Sequence, residues 1–144
     1  MRKILAVLVM LFVCIGAAAP VQAAGKSKAP AYTKTARLLV QGGNLSWTVG
    51  SQCDRGPKSC NKILKKVNKS ANKYGVHFFE DGSAWTKSRT LKARMITKGA
   101  NTAQGVWYEC GRGPKVCNRA LTKANKVNRQ VIFFEDGSAA LRRR

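Results

Sequence analysis

Three sets of side chains in this sequence could do chemistry: a histidine close to two acids, cysteines in matched pairs, and a large excess of lysine and arginine. The only histidine is His77, followed by Glu80 and Asp81. An imidazole near two carboxylates is enough for general acid–base work, as in a small nuclease, so His77 is the sole candidate for catalysis. The chain itself supplies a counterweight. Its segment 78–84 reads FFEDGSA and recurs unchanged at 133–139. The position matching His77 is then Ile132, and an apolar twin marks a half-buried strand position. Asp81 and Asp136 each precede Gly, which turn chemistry alone explains. Glu80, Asp81, Glu135 and Asp136 are four of only six acids, and their duplication suggests that they anchor a neighbouring Lys or Arg. No Ser/His/Asp order, H-E-x-x-H motif or phosphate loop is present. The expectation is a protein that is not an enzyme, with no catalytic residue and no cofactor.

The cysteines repeat as well. Residues 53–60 read CDRGPKSC and 110–117 read CGRGPKVC, with the same spacing and an offset of 57 residues. Zinc sites favour pairs spaced by two to four residues, joined by histidines. Here six residues separate each pair, and the lone His77 has no twin, so no metal is expected. A redox pair would need C-x-x-C. Structural disulfides remain, with Cys53–Cys60 and Cys110–Cys117 favoured. The alternatives include bridges between the copies, Cys53–Cys110 with Cys60–Cys117.

The cations are the strongest signal. Against 27 Lys and Arg stand 6 acids, a formal net charge of +21. Such a field repels cationic partners and attracts nucleic acid, lipid headgroups, acidic polysaccharide or an acidic protein. At 44% hydrophobic residues the chain folds rather than behaving as a disordered polycation, so the charge must coat something packed. Lys62, Lys65, Lys66, Lys69 and Lys73 fall on one side of a helical pattern, and Arg119, Lys123, Lys126 and Arg129 repeat the plan. Arg55 and Lys58, with Arg112 and Lys115, flank two R-G-P-K helix starts, where unpaired backbone N–H groups also attract anions. Ordinary surfaces mix signs. Neither helix contains an acid, so no i to i+4 Glu–Lys pair can form. These thirteen side chains are the expected anion-binding set.

What must position them? With 144 residues there is room for one ordinary domain or two very small ones. Arg2 and Lys3 precede an apolar run over 4–15, and V-Q-A at 21–23 ends in small residues. This predicts a signal peptide over 1–23, cut after Ala23. The run is too short for a membrane span, which needs about 20 apolar residues. Cleavage removes Arg2, Lys3 and Cys14, leaving 25 basic residues against 6 acids, a net +19, and four cysteines. The expected location is secreted or periplasmic. Residues 24–35 read as a mobile basic leader. Residues 36–88 and 89–144 read as a tandem duplication, the second unit ending in the basic tail 142–144.

Within each unit, Gly56-Pro57 and Gly113-Pro114 open a helix. Cys60, Ile63, Leu64, Val67, Ala71 and Tyr74 trace its inner face, and Gly75 stops it. In the second copy the inner face is Cys117, Ala120, Leu121 and Ala124. Strands are expected at 76–79 and 84–87, joined by a two-residue Asp81-Gly82 turn, and again at 131–134 and 139–142 across Asp136-Gly137. Two further strands are expected before each cysteine pair, at 37–41 and 45–49, then at 91–97 and 105–109. The fold class is therefore α+β, a duplicated ββαββ-type unit stapled by disulfides into one small domain. Phe78 and Phe79 point to opposite strand faces, one beneath its own helix and the other towards the twin unit. Trp47, Trp85 and Trp107 could stack on bases if exposed, but aromatics in so small a domain are expected in the core.

The expected function is an exported, non-enzymatic binding protein for an anionic envelope or matrix polymer, such as lipopolysaccharide or acidic polysaccharide. Its alternatives are a secreted effector or inhibitor that binds an acidic protein, and a nucleic-acid-binding protein or small nuclease.

Overall fold

The structure is a computed structural model that describes residues 32–143. The signal-peptide expectation, most of the basic leader and the final residue of the tail lie outside the described residues. The order of elements is α1 (Lys34–Cys53), α2 (Pro57–Ala71), a 3-10 turn (Asn72–Tyr74), β1 (Val76–Phe78) and β2 (Ala84–Thr86). The second copy follows as α3 (Leu91–Cys110), α4 (Pro114–Val127), β3 (Val131–Phe133) and β4 (Ala139–Leu141). The class is mixed α+β, with four helices and two separate two-stranded antiparallel sheets.

The unit is not ββαββ. The strands expected at 37–41 and 45–49 belong to α1, and those at 91–97 and 105–109 belong to α3. Each unit runs helix, helix, hairpin. The physical reason lies in the residues these helices bury: Ala36, Leu39, Gly42, Gly43, Ser46, Val49 and Gly50 in α1, and Ala93, Ile96, Gly99, Ala100, Ala103 and Val106 in α3. The helical period is present, but small residues carry much of it, so a search for large apolar side chains passes over it. Thr33 and Thr90 cap the two helices, their hydroxyls accepting from the N–H of Ala36 and of Ala93 at 3.2 Å. Thus α1 begins within the final residues of the expected leader.

The small residues let α1 and α3 meet almost backbone to backbone, in the largest interface of the fold. Gly42 sits against the Ile96 carbonyl and Gly99 against the Leu39 carbonyl, with no room for a Cβ at either place. Around this crossing the core divides in two. Val49, Val67, Ala71, Val76, Phe78 and Ala84 of the first copy pack with Ala93, Ile96 and Ala100 of the second. Ala103, Val106, Val131, Phe133 and Ala139 of the second copy pack with Ala36 and Leu39 of the first. Each copy therefore completes the core of the other. Asn44 on α1 accepts from the Ala139 N–H at 2.9 Å, and Asn101 on α3 accepts from the Ala84 N–H at 3.1 Å, so the exchange is reciprocal.

The helices opened by Gly-Pro stand where expected. In α2, Cys60, Val67 and Ala71 are buried, and Gly75 ends the following turn with a left-handed φ of 69°. The hairpins pair as Val76 with Thr86 and Val131 with Leu141. Their loops have three residues rather than two. Phe79 N–H donates to Ser83 O at 3.0 Å, and Gly82 N–H to Phe79 O at 3.0 Å, enclosing Glu80, Asp81 and Gly82. Gly82 takes a positive φ of 83°, and a Cβ there would also meet the Ser46 carbonyl at 2.5 Å, so glycine is required twice over.

Phe78 and Phe133 are buried beneath their own units, at 0% and 1% exposure. Phe79 and Phe134 do not reach the twin unit. They stay 47% and 44% exposed, because the α1–α3 crossing already forms the contact between copies.

Candidate anion-binding surface

The helix faces are built by exclusion. Packing of α2 on α1 and of α4 on α3 claims the apolar stripe of each shorter helix, and the Lys and Arg residues take the remainder. Lys62, Lys65, Lys66, Lys69 and Lys73 are all exposed, as are Arg119, Lys123, Lys126 and Arg129. The 57-residue offset maps Lys62 onto Arg119, Lys66 onto Lys123 and Lys69 onto Lys126. Neither shorter helix has an acid in its first turn.

At the helix starts, Arg55, Lys58, Arg112 and Lys115 are exposed too. Gly56 and Gly113 occupy the capping positions without any side-chain cap, and Pro57 and Pro114 open the helices. The ladder resumes only where the Cys60 N–H donates to Gly56 O and the Cys117 N–H to Gly113 O, both at 3.0 Å. The amides of the first turn have no helical partner by construction, and basic side chains flank them in both copies. The copies are not identical: Arg112 meets Glu109 at 3.3 Å, the only ion pair among the described residues, and Asp54 of the first corner is replaced by Gly111 in the second.

Both favoured disulfides are present, Cys53–Cys60 and Cys110–Cys117. Cys53 and Cys110 are not in loops. They are the last residues of α1 and α3, so each bridge ties two consecutive helices together and fixes the R-G-P-K corner between them. Such bonds belong to an oxidising environment, and among the described residues no helix is long and apolar enough to cross a membrane.

Among the described residues, the duplicated acids Glu80, Asp81, Glu135 and Asp136 form no ion pair. Asp81 Oδ1 accepts from the Ser83 N–H at 2.9 Å and the Ser83 hydroxyl at 2.6 Å, and Asp136 repeats this with Ser138 at 2.9 and 2.7 Å. Both are turn builders. His77 lies on the exposed face of β1, its ring edge-on to Phe79 at 5.1 Å between centroids.

Sequence reasoning missed the place of the tryptophans. Trp47, Trp85 and Trp107 are 40%, 53% and 38% exposed, not core. Trp47 and Trp107 line a cleft of about 300 Å³ between the copies, together with Asp54, Asp81 and Asp136. Their counterparts in the other copy, Gln104 and Gly50, are not aromatic. That mismatch was a readable signal, because a core position in a duplicated unit should keep its apolar bulk in both copies.

Compared with known proteins, the chain matches no family model, no curated protein and no solved structure.

Proposed function

We propose that this is an exported, non-enzymatic binding protein that engages an anionic polymer through two copies of one basic surface. A single observation carries the proposal. All thirteen candidate cations are exposed, ten of them recur as five matched pairs (Arg55 with Arg112, Lys58 with Lys115, Lys62 with Arg119, Lys66 with Lys123 and Lys69 with Lys126), and Arg112 alone has an acidic partner among the described residues. Like charges held this way repel one another and weaken the fold. A polymer of repeated anionic groups would neutralise them. The export signal expected over 1–23 makes an envelope or matrix polymer, lipopolysaccharide or acidic polysaccharide, the first class to examine. The exposed Trp85, with Lys87 beside its ring, favours a second class with the same repeated charge, nucleic acid.

The test is retention on immobilised heparin and on lipopolysaccharide over a salt gradient. Binding should weaken steeply with salt, as counterion release requires. The double variant Lys65→Glu/Lys66→Glu should elute earlier, with its salt slope lowered by about 2. Unchanged elution of that variant would remove the α2 face from the proposal. Capture of an acidic protein that survives nuclease and polysaccharide digestion would replace the polymer with a protein partner.

A further inference from the structure

The two hairpins share one backbone plan but present different outer faces. In the first, Val76 and Phe78 point into the core at 1% and 0% exposure, so period-two alternation sends His77 and Phe79 outwards. His77 pairs directly with Trp85 across the sheet. Trp85 is 53% exposed and Phe79 47%. The His77 and Phe79 rings meet edge to face at 5.1 Å, and Lys87 Nζ lies 5.8 Å from the Trp85 ring centroid. Three aromatic rings and a cation thus share one solvent-facing surface.

The second hairpin serves as an internal control. At the same positions it carries Ile132, Phe134, Ala140 and Arg142. It forms the same register and the same three-residue loop, so folding does not require the imidazole or the indole. The cation differs as well. Arg142 is tied to backbone, its Nε donating to Val131 O at 3.2 Å and its Nη2 to Asn125 O at 3.1 Å. Among the described residues, Lys87 forms no ion pair and is exposed.

We infer that the outer face of the first hairpin, formed by His77, Phe79, Trp85 and Lys87, is a stacking platform for the unpaired bases of a single-stranded nucleic acid. The inference rests on the polyanion reading and names the polymer. Unpaired bases offer flat π faces at regular intervals, each followed by a phosphate, and stacking on aromatic side chains beside cations is how such strands are held without regard to sequence. A saccharide ring can also lie on an indole, but its hydroxyls call for carboxylate or carboxamide partners. None of the four side chains on this face carries one. Charge complementarity agrees: the mature chain expected after cleavage carries +19.

The experiment measures the affinity of the full mature chain for three probes at fixed salt. They are a short oligothymidylate, an abasic deoxyribose-phosphate strand of equal length, and heparin. The wild type should bind oligothymidylate about tenfold more tightly than the abasic strand. The variant His77→Ile/Trp85→Ala, which installs the residues of the second hairpin and should keep the fold, should bind the two strands equally and heparin as before. Equal binding of the two strands by the wild type would overturn the platform and leave the polyanion reading standing. Loss of heparin together with oligothymidylate in the variant would also overturn it, because the face would then be a general charge contact. If the wild type binds none of the three probes, the polyanion reading falls, and the platform with it.

Discussion

Two asparagines tie the hairpins to the shorter helices. Asn68 on α2 accepts from the Phe78 N–H at 2.8 Å and donates to the Phe78 carbonyl at 3.0 Å. Asn125 on α4 does the same for Phe133, at 2.8 and 3.1 Å. Each satisfies both backbone groups of the most deeply buried strand residue, which a two-stranded sheet leaves unpaired on that side. Replacing Asn68 with Ala should destabilise the fold by about 1–3 kcal/mol, the cost of leaving such groups without partners. Urea unfolding would measure it, and heparin binding by the folded fraction should not change. These residues were hard to read from sequence. An Asn among lysines looks like surface, and only its recurrence at the 57-residue offset marks it as structural. Recurrence pairs His77 with Ile132 and predicts a half-buried strand position for both, but Ile132 alone is half-buried and His77 stands on the exposed face of β1. Applied to Trp47 and Trp107, recurrence would have moved them out of the core.

At the scale of the element, legibility followed the size of the buried side chains. The helices α2 and α4 were visible because Ile63, Leu64 and Val67 mark one face against a row of lysines. The hairpins were visible because FFEDGSA couples β-favouring residues to a turn, although its loop is one residue longer than Asp-Gly alone suggested. The central helices α1 and α3 were misread as strands because glycine, alanine and serine fill their buried stripe. Glycine costs about 1 kcal/mol relative to alanine inside a helix, and here close approach of the two backbones compensates. Two substitutions separate these roles. Gly42→Ala would push a methyl group into the Ile96 carbonyl and should destabilise by about 1–3 kcal/mol. Gly105→Ala, in the same kind of helix but with nothing near the new methyl, should stabilise by about 0.5–1 kcal/mol. Thermal unfolding of both variants checks the pair, and a neutral Gly42→Ala would contradict the close crossing.

For the whole molecule, duplication turns an excess of charge into an arrangement. The crossing of α1 and α3 and the exchanged cores join the two units, and each basic helix packs on one of the two crossing helices. The disulfides hold the R-G-P-K corners, and α2 and α4 each pack on a different central helix, which leaves their outer faces separately accessible. Two copies of one surface on a single frame can engage one polymer at two places, and the second contact then forms at high effective concentration. The tandem repeat was plain in the sequence. How the copies interlock was not, because that depends on contacts between residues far apart in the chain, such as Asn44 with Ala139.

The most direct measurement is the salt dependence of affinity for a polyanion long enough to reach both faces. It compares the wild type with Lys66→Glu/Lys69→Glu, with Lys123→Glu/Lys126→Glu, and with the four changes combined. Each pair should lower the slope of log affinity against log salt by about 2, and the combined variant by about 4. A slope that does not respond to either pair, or one that responds to α2 alone while α4 is silent, would contradict a duplicated anion-binding surface.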